Sequence, residues 1–183
     1  RWCSGATDDA TLELADASYL AGGKSAKMTN PKAGGLNGVF VDLYDSNALA
    51  AGDYTLFAYI KLEDVVTDSA NAGDQGFRLM VNCWKTDDSG INWEQQGFDY
   101  RSNGYKTTTG WQKVKMDFSV PEGVKTVRIQ GNFSNCKGSA YVTNFIITEK
   151  GAPEPADPAK PKDPIPYHDF TGMEDLNPIF LGN

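Results

Sequence analysis

Between Lys24 and Lys150 apolar and polar residues alternate with period two over short segments, and Gly, Asn and Asp punctuate the gaps. Period-two alternation places every second side chain on one face of a strand, so it predicts strands with one buried side. In "GFRLMVNCW", Phe77, Leu79, Val81 and Cys83 form the set that seeks burial, while Arg78, Met80, Asn82 and Trp84 face the other way. The same reading predicts strands near Lys24–Thr29, Gly38–Tyr44, Gly52–Glu63, Gln75–Trp84, Glu94–Tyr100, Trp111–Val120, Lys125–Phe133 and Ser139–Glu149. An N-terminal strand is expected near Thr11–Ala15. No 11-residue window carries a helical stripe, and turn signals such as "AAGD", "DDSG" and "VPEG" separate the strands. The predicted class is therefore all-β, a two-sheet antiparallel β-sandwich.

After Lys150 the pattern stops. The run "GAPEPADPAKPKDPIP" is rich in proline and nearly free of apolar residues, so it cannot bury a face and is expected to be extended and semi-rigid. Three segments are expected: a sandwich over 1–150, a proline-rich linker over 151–166, and a tail or the start of a following domain over 167–183. On this reading the sandwich folds independently of everything after Lys150. The N-terminus "RWCSG" has neither a start methionine nor a signal-peptide pattern, so the chain is expected to be a piece of a larger protein.

Net charge changes the picture by exclusion. At −7 over 183 residues the chain repels a phosphate backbone or an anionic membrane, and no apolar run approaches the length of a membrane span. Nucleic acid and membrane are not expected partners. Three cysteines, Cys3, Cys83 and Cys136, lie too far apart for a zinc site. They suit three buried thiols or one disulfide with a leftover thiol, and the spacing does not choose.

The outward sets hold the candidate chemistry. "YTLFAYIKL" alternates Tyr54, Leu56, Ala58, Ile60 and Leu62 with Thr55, Phe57, Tyr59 and Lys61; "VRIQGNF" alternates Val127, Ile129, Gly131 and Phe133 with Arg128, Gln130 and Asn132. Pooled, the second sets of these strands and of "GFRLMVNCW" give rings, guanidinium groups and amides with no carboxylate. A sugar ring offers a C–H face that stacks on an aromatic ring and edge hydroxyls that pair with forked donors and acceptors. Tyr59, Arg78, Asn82, Trp84, Arg128, Gln130 and Asn132 are thus expected to line a sugar-binding face. The segment Thr86–Tyr105 adds Trp93, Gln95 and Tyr100 as recognition residues of an overhanging loop.

Four stretches in order, "AGGKSAKMT", "LAAGDYTLFAYIKLED", "TTTGWQKVKMDFSVPEG" and "GSAYVTNFIITEK", resemble strands of carbohydrate-binding modules of the family 4, 9 and 22 type, across most of 22–150. That resemblance implies a jelly-roll sandwich that binds polysaccharide on a concave sheet and serves an attached glycoside hydrolase or surface protein. It implies a secreted or cell-surface, bacterial extracellular setting. It also places Trp111 in the core and implies a structural calcium near the N-terminal and last strands. Asp8, Asp9 and Glu13 are the early oxygen donors, and Thr143-Asn144 stands where the family carries acidic residues.

Catalysis is not expected. Glycosidase chemistry needs two carboxyl groups flanking one bond, and Glu94 and Asp99 are the only nominees, with nothing pairing them. The single histidine, His168, lies beyond the prolines, which excludes a nucleophile–histidine pair in the sandwich. The alternative function is a non-binding β-sandwich spacer of a secreted or surface protein.

Overall fold

The computed structural model describes residues 9–19, 23–67, 75–85 and 96–157. Nine strands follow in chain order: β1 (Thr11–Ala15), β2 (Ser25–Asn30), β3 (Leu36–Leu43), β4 (Gly52–Thr67), β5 (Gly76–Trp84), β6 (Gln96–Arg101), β7 (Thr109–Val120), β8 (Thr126–Ser134) and β9 (Cys136–Glu149). All nine expected strands are present, with ends shifted by a few residues. Among the described residues the only helical element is a 3-10 turn at Asp45–Asn47.

The strands form two antiparallel sheets, β1-β2-β9-β4-β7 and β3-β8-β5-β6. Each sheet turns its apolar set inward. Leu56, Ala58, Ile60 and Leu62 of β4 and Phe77, Leu79, Val81 and Cys83 of β5 are all fully buried, joined by Val127, Ile129 and Phe133 of β8. Stacking two such faces removes both from water and is the dominant stabilising term. Gly131 continues the inward set of β8, and a Cβ there would meet the Phe77 ring at 2.8 Å. The missing side chain lets that ring lie against the neighbouring strand.

Gly76, at φ 86°, closes the open end of β5. Phe77 and Tyr105 exchange backbone hydrogen bonds of 2.9 and 2.8 Å, and a Cβ on Gly76 would strike the Tyr105 carbonyl at 2.2 Å. The chain after β6 therefore runs on beside β5. Ser102 donates its amide to the Leu79 carbonyl at 2.9 Å. Cys83 and Cys136 are buried free thiols, so neither is in a disulfide; Cys3 lies outside the described residues. Burial pushes their pKa values up, to about 11 and about 12.

One expectation fails here, and the described start of the proline-rich run adds contacts of its own. Trp111 is not in the core: it sits half-buried on the outer face of the five-stranded sheet, edge-on to Tyr141 at 6.3 Å. A register shift between Ile60 and Leu62 lies opposite it in β4, and Gln112, not Trp111, pairs with the inward Ile60. The start of the proline-rich run does not leave the sandwich at Lys150. The Lys113 ammonium meets the Asp157 carboxylate at 2.8 Å and the Pro155 carbonyl at 3.0 Å, and the Tyr59 hydroxyl donates to Asp157 at 3.0 Å. Residues 154–157 thus lie over Tyr59, which is completely buried. Ending the chain at Lys150 would uncover this phenol. Such a chain is expected to melt a few degrees below one ending at Asp157, since about 1 kcal/mol shifts the midpoint by roughly 2–4 °C at this size; thermal melts of the two truncations check it.

Candidate functional site

Alternation puts the outward residues of β3, β8, β5 and β6 on one face, and the register arranges them in cross-strand rows. Asp42, Arg128, Asn82 and Asp99 form one row; Phe40, Gln130, Met80 and Arg101 form the next; Gly38, Asn132 and Arg78 form the third. Six of the expected site residues, Arg78, Asn82, Trp84, Arg128, Gln130 and Asn132, are therefore brought together on one face.

Others are not. Tyr59 lies on the other sheet, stacked on Tyr19 with ring centroids 4.4 Å apart. Pooling outward sets strand by strand could not see that β4 and β5 belong to different sheets, whose outer faces point in opposite directions. Tyr100 pairs with the inward Val81 and meets Phe118 of the opposite sheet at 6.3 Å, so it packs on the core and not in a groove. Trp93 and Gln95 lie outside the described residues.

The first row is built around Arg128. Its guanidinium makes a bidentate pair with Asp42, at 2.6 Å from Nε to Oδ1 and 2.8 Å from the terminal nitrogen to Oδ2. Its carbon lies 3.8 Å from the Phe40 ring centroid and 5.4 Å from that of Trp84. A flat cation held between two rings by a forked carboxylate has its charge answered and its plane fixed. Beside it, the Gln130 amide donates to Asn82 Oδ1. Trp84, Asn82, Gln130, Arg128 and Phe40 are all 5 % exposed or less. This half of the face is a closed floor in which Arg128 with Asp42 and Gln130 with Asn82 answer one another.

The other half is open. Arg78, Met80 and Asn132 are half-buried and Arg101 is exposed. Arg78 donates to the Ser102 carbonyl at 3.1 Å, which aims its guanidinium along the sheet, and Arg101 chelates Asp99 at 2.9 and 2.6 Å. The strands β3 and β6 add two carboxylates to this face, Asp42 and Asp99. Phe40 and Asp42 were readable in the alternation of "VFVDL" on β3, and Asp99 and Arg101, two residues apart on β6, share a face by the same local rule. Both face carboxylates are engaged by guanidinium groups, and Glu94 lies outside the described residues.

The residues named for a structural calcium have other partners. Glu13 pairs with Lys27 at 2.8 Å, Asp9 pairs with Lys32, and Thr143 donates to the Asn144 side chain at 3.2 Å. Among the described residues no three His, Cys, Asp or Glu side chains converge. Asp8 lies outside them.

On the opposite face three carboxyls sit below their usual range. Lys113 and then Tyr59 hold Asp157 down, Thr55 and Lys150 act on Asp117, and Lys61 and Tyr141 act on Glu63. A depressed carboxyl stabilises the fold above its unfolded pKa, near 4, and loses that contribution as pH falls through its folded value. Melting temperature should therefore decline below about pH 4, and Asp157→Asn should flatten part of that slope. On the floor, Trp84→Ala is expected to cost about 3–5 kcal/mol, the scale of a fully buried ring, read from denaturant unfolding.

No protein-family model matches the chain, and no curated protein sequence matches it. Among solved structures it is similar to the enzymatically active domain of tailspike protein 4 of bacteriophage CBA120, with 14% identity and a TM-score of 0.53 over 80% of this chain and 19% of that one. It is also similar to the family 22 carbohydrate-binding module and family 10 glycoside hydrolase modules of Clostridium thermocellum endo-1,4-β-D-xylanase 10B, complexed with xylohexaose. There the identity is 14% and the TM-score 0.54, over 82% of this chain and 26% of that one. A family 16 carbohydrate-binding module follows at 17% identity and TM-score 0.47, over 81% and 90% of the two chains. The chain spans only a fifth to a quarter of the first two proteins, and at these identities the likeness is one of fold. The nine strands, their two antiparallel sheets and the sequence motifs agree on that fold: a β-sandwich resembling carbohydrate-binding modules of the family 22 kind.

Proposed function

We propose that the chain is a non-catalytic carbohydrate-binding module that takes a polysaccharide across the outer face of the β3-β8-β5-β6 sheet and targets an attached glycoside hydrolase or surface protein to it. The observation that carries this reading is the division of that face into a closed floor and an open half. Arg128 with Asp42 and Gln130 with Asn82 satisfy one another beside Phe40 and Trp84. Arg78, Met80, Asn132 and Arg101 stand open beside them.

A sugar chain needs planar donors and acceptors already held in place, because ordering flexible side chains on binding subtracts from affinity. Arg78, anchored on Ser102, and Asn132, its cross-strand partner, supply that in the open half. Met80 between the strands offers an adaptable apolar contact for C–H groups. The fold likeness to a xylanase module complexed with xylohexaose supports a saccharide as the ligand class. With Trp84 wholly buried, it acts as floor and not as a stacking platform, so recognition rests on the open polar residues.

Affinity electrophoresis of the full chain through soluble plant and host polysaccharides tests this. Retardation is expected on at least one polymer. Arg78→Ala and Asn132→Ala should each weaken it by about 1–3 kcal/mol, the range of binding hot spots, while melting cooperatively. No retardation on any polymer, or variants retarded as strongly as the parent, overturns the reading.

A further inference from the structure

The outer face of the five-stranded sheet carries a second constellation that a glycan-binding role does not use. Tyr59 and Lys113 are direct cross-strand partners on β4 and β7, and both point away from the core. Tyr19 stacks on the Tyr59 ring. The chain's own residues 154–157 close over this pair. Asp157 takes the Tyr59 hydroxyl at 3.0 Å and the Lys113 ammonium at 2.8 Å, the Pro155 carbonyl takes Lys113 at 3.0 Å, and Glu154 reaches Lys115 at 3.2 Å. Upstream, the Lys150 amide bonds the Asp53 carbonyl at 2.9 Å, so the segment enters from a fixed point at the end of β9.

Charge and stiffness both suit the contact. Two acidic residues meet two lysines, and Pro153 and Pro155 have φ already restricted, so the segment loses less freedom on docking than an ordinary linker would. The phenol of Tyr59 is buried and has Asp157 as its partner, and desolvation together with that carboxylate raises its pKa. Leaving it unpartnered under Tyr19 would be unfavourable.

We propose that residues 154–157 are a latch that fixes the proline-rich run to the outer face of the five-stranded sheet, so that the following chain departs from the side of the sandwich opposite the β3-β8-β5-β6 face. The latch stands on its own contacts. Its consequence, that whatever follows is held clear of a bound polysaccharide, rests on the function proposed above. A free linker would let the next domain swing to either side, whereas a latched one sets its direction and shortens the span it samples.

The test uses the full chain without polysaccharide, so its failure and the failure of the glycan reading are separate events. In a Cys3→Ser background, a nitroxide on Ala156→Cys reports where the segment lies; Cys83 and Cys136 are buried and do not compete for the label. Amides of Tyr59 and Lys113 should be broadened several-fold more than those of Arg78 and Asn132. Lys113→Gln should bring the two groups toward parity, and Lys113→Arg should restore the difference. Asp157→Asn, checked by its melt to be folded, should act as Lys113→Gln does. Even broadening of both faces in the parent, or a difference that survives both Lys113→Gln and Asp157→Asn, overturns the latch.

Discussion

Leu56, Ala58, Ile60 and Leu62 on one sheet and Phe77, Leu79, Val81 and Cys83 on the other must be buried together, and neither set has another place to go. Two sheets closing on each other is the solution, and it settles which side chains point outward everywhere else. Gly131 belongs to the same constraint. It gives up a side chain so that Phe77 fits between β8 and the facing sheet, where Phe145 also approaches.

The outward sets then become two surfaces with different characters. On the four-stranded sheet the polar groups answer one another in the closed half, around an arginine held by a carboxylate and flanked by two rings. Removing one partner of such a buried pair leaves an uncompensated charge, so the pair specifies its local arrangement whatever its net contribution to stability. The neighbouring open half lies on the same paired strands, β5 and β8. On the function proposed above, an uncharged, hydroxyl-rich ligand would meet donors fixed in this way.

On the five-stranded sheet the outward residues are charged pairs and rings. Tyr141 lies between Lys27 and Lys61, at 5.7 and 5.1 Å from its ring, and donates to Glu63 at 2.8 Å. Further along, Tyr59 and Lys113 receive residues 154–157. One surface thus carries a closed polar floor beside an open half, while the other holds residues 154–157 of the chain. That division of labour between the two faces of one sandwich follows from which strands went to which sheet.

Alternation in single strands was enough to place nine strands, to separate inward from outward residues on β4, β5 and β8, and to point to Arg78, Asn82, Trp84, Arg128, Gln130 and Asn132, because period two is a local property of the backbone. It could not assign strands to sheets, since that depends on pairings between residues far apart in sequence, and so it grouped Tyr59 with residues on the opposite side of the molecule. It did not place Tyr100 either, and for Trp111 the family resemblance pointed inward although the alternation of β7 sets it with Lys113, Lys115 and Asp117 on the outer side. Tyr100 turns inward because its partner is Val81, and Trp111 turns outward where the β4–β7 register shifts. Nor did the proline-rich composition reveal its docking: lacking apolar residues, the run carries no burial signal, and its hold on Tyr59 and Lys113 consists of polar contacts that exist only once β4 and β7 are side by side. The sequence by itself determined the strands and their faces; the tertiary structure alone decided which faces coincide, because coincidence is a property of long-range pairing.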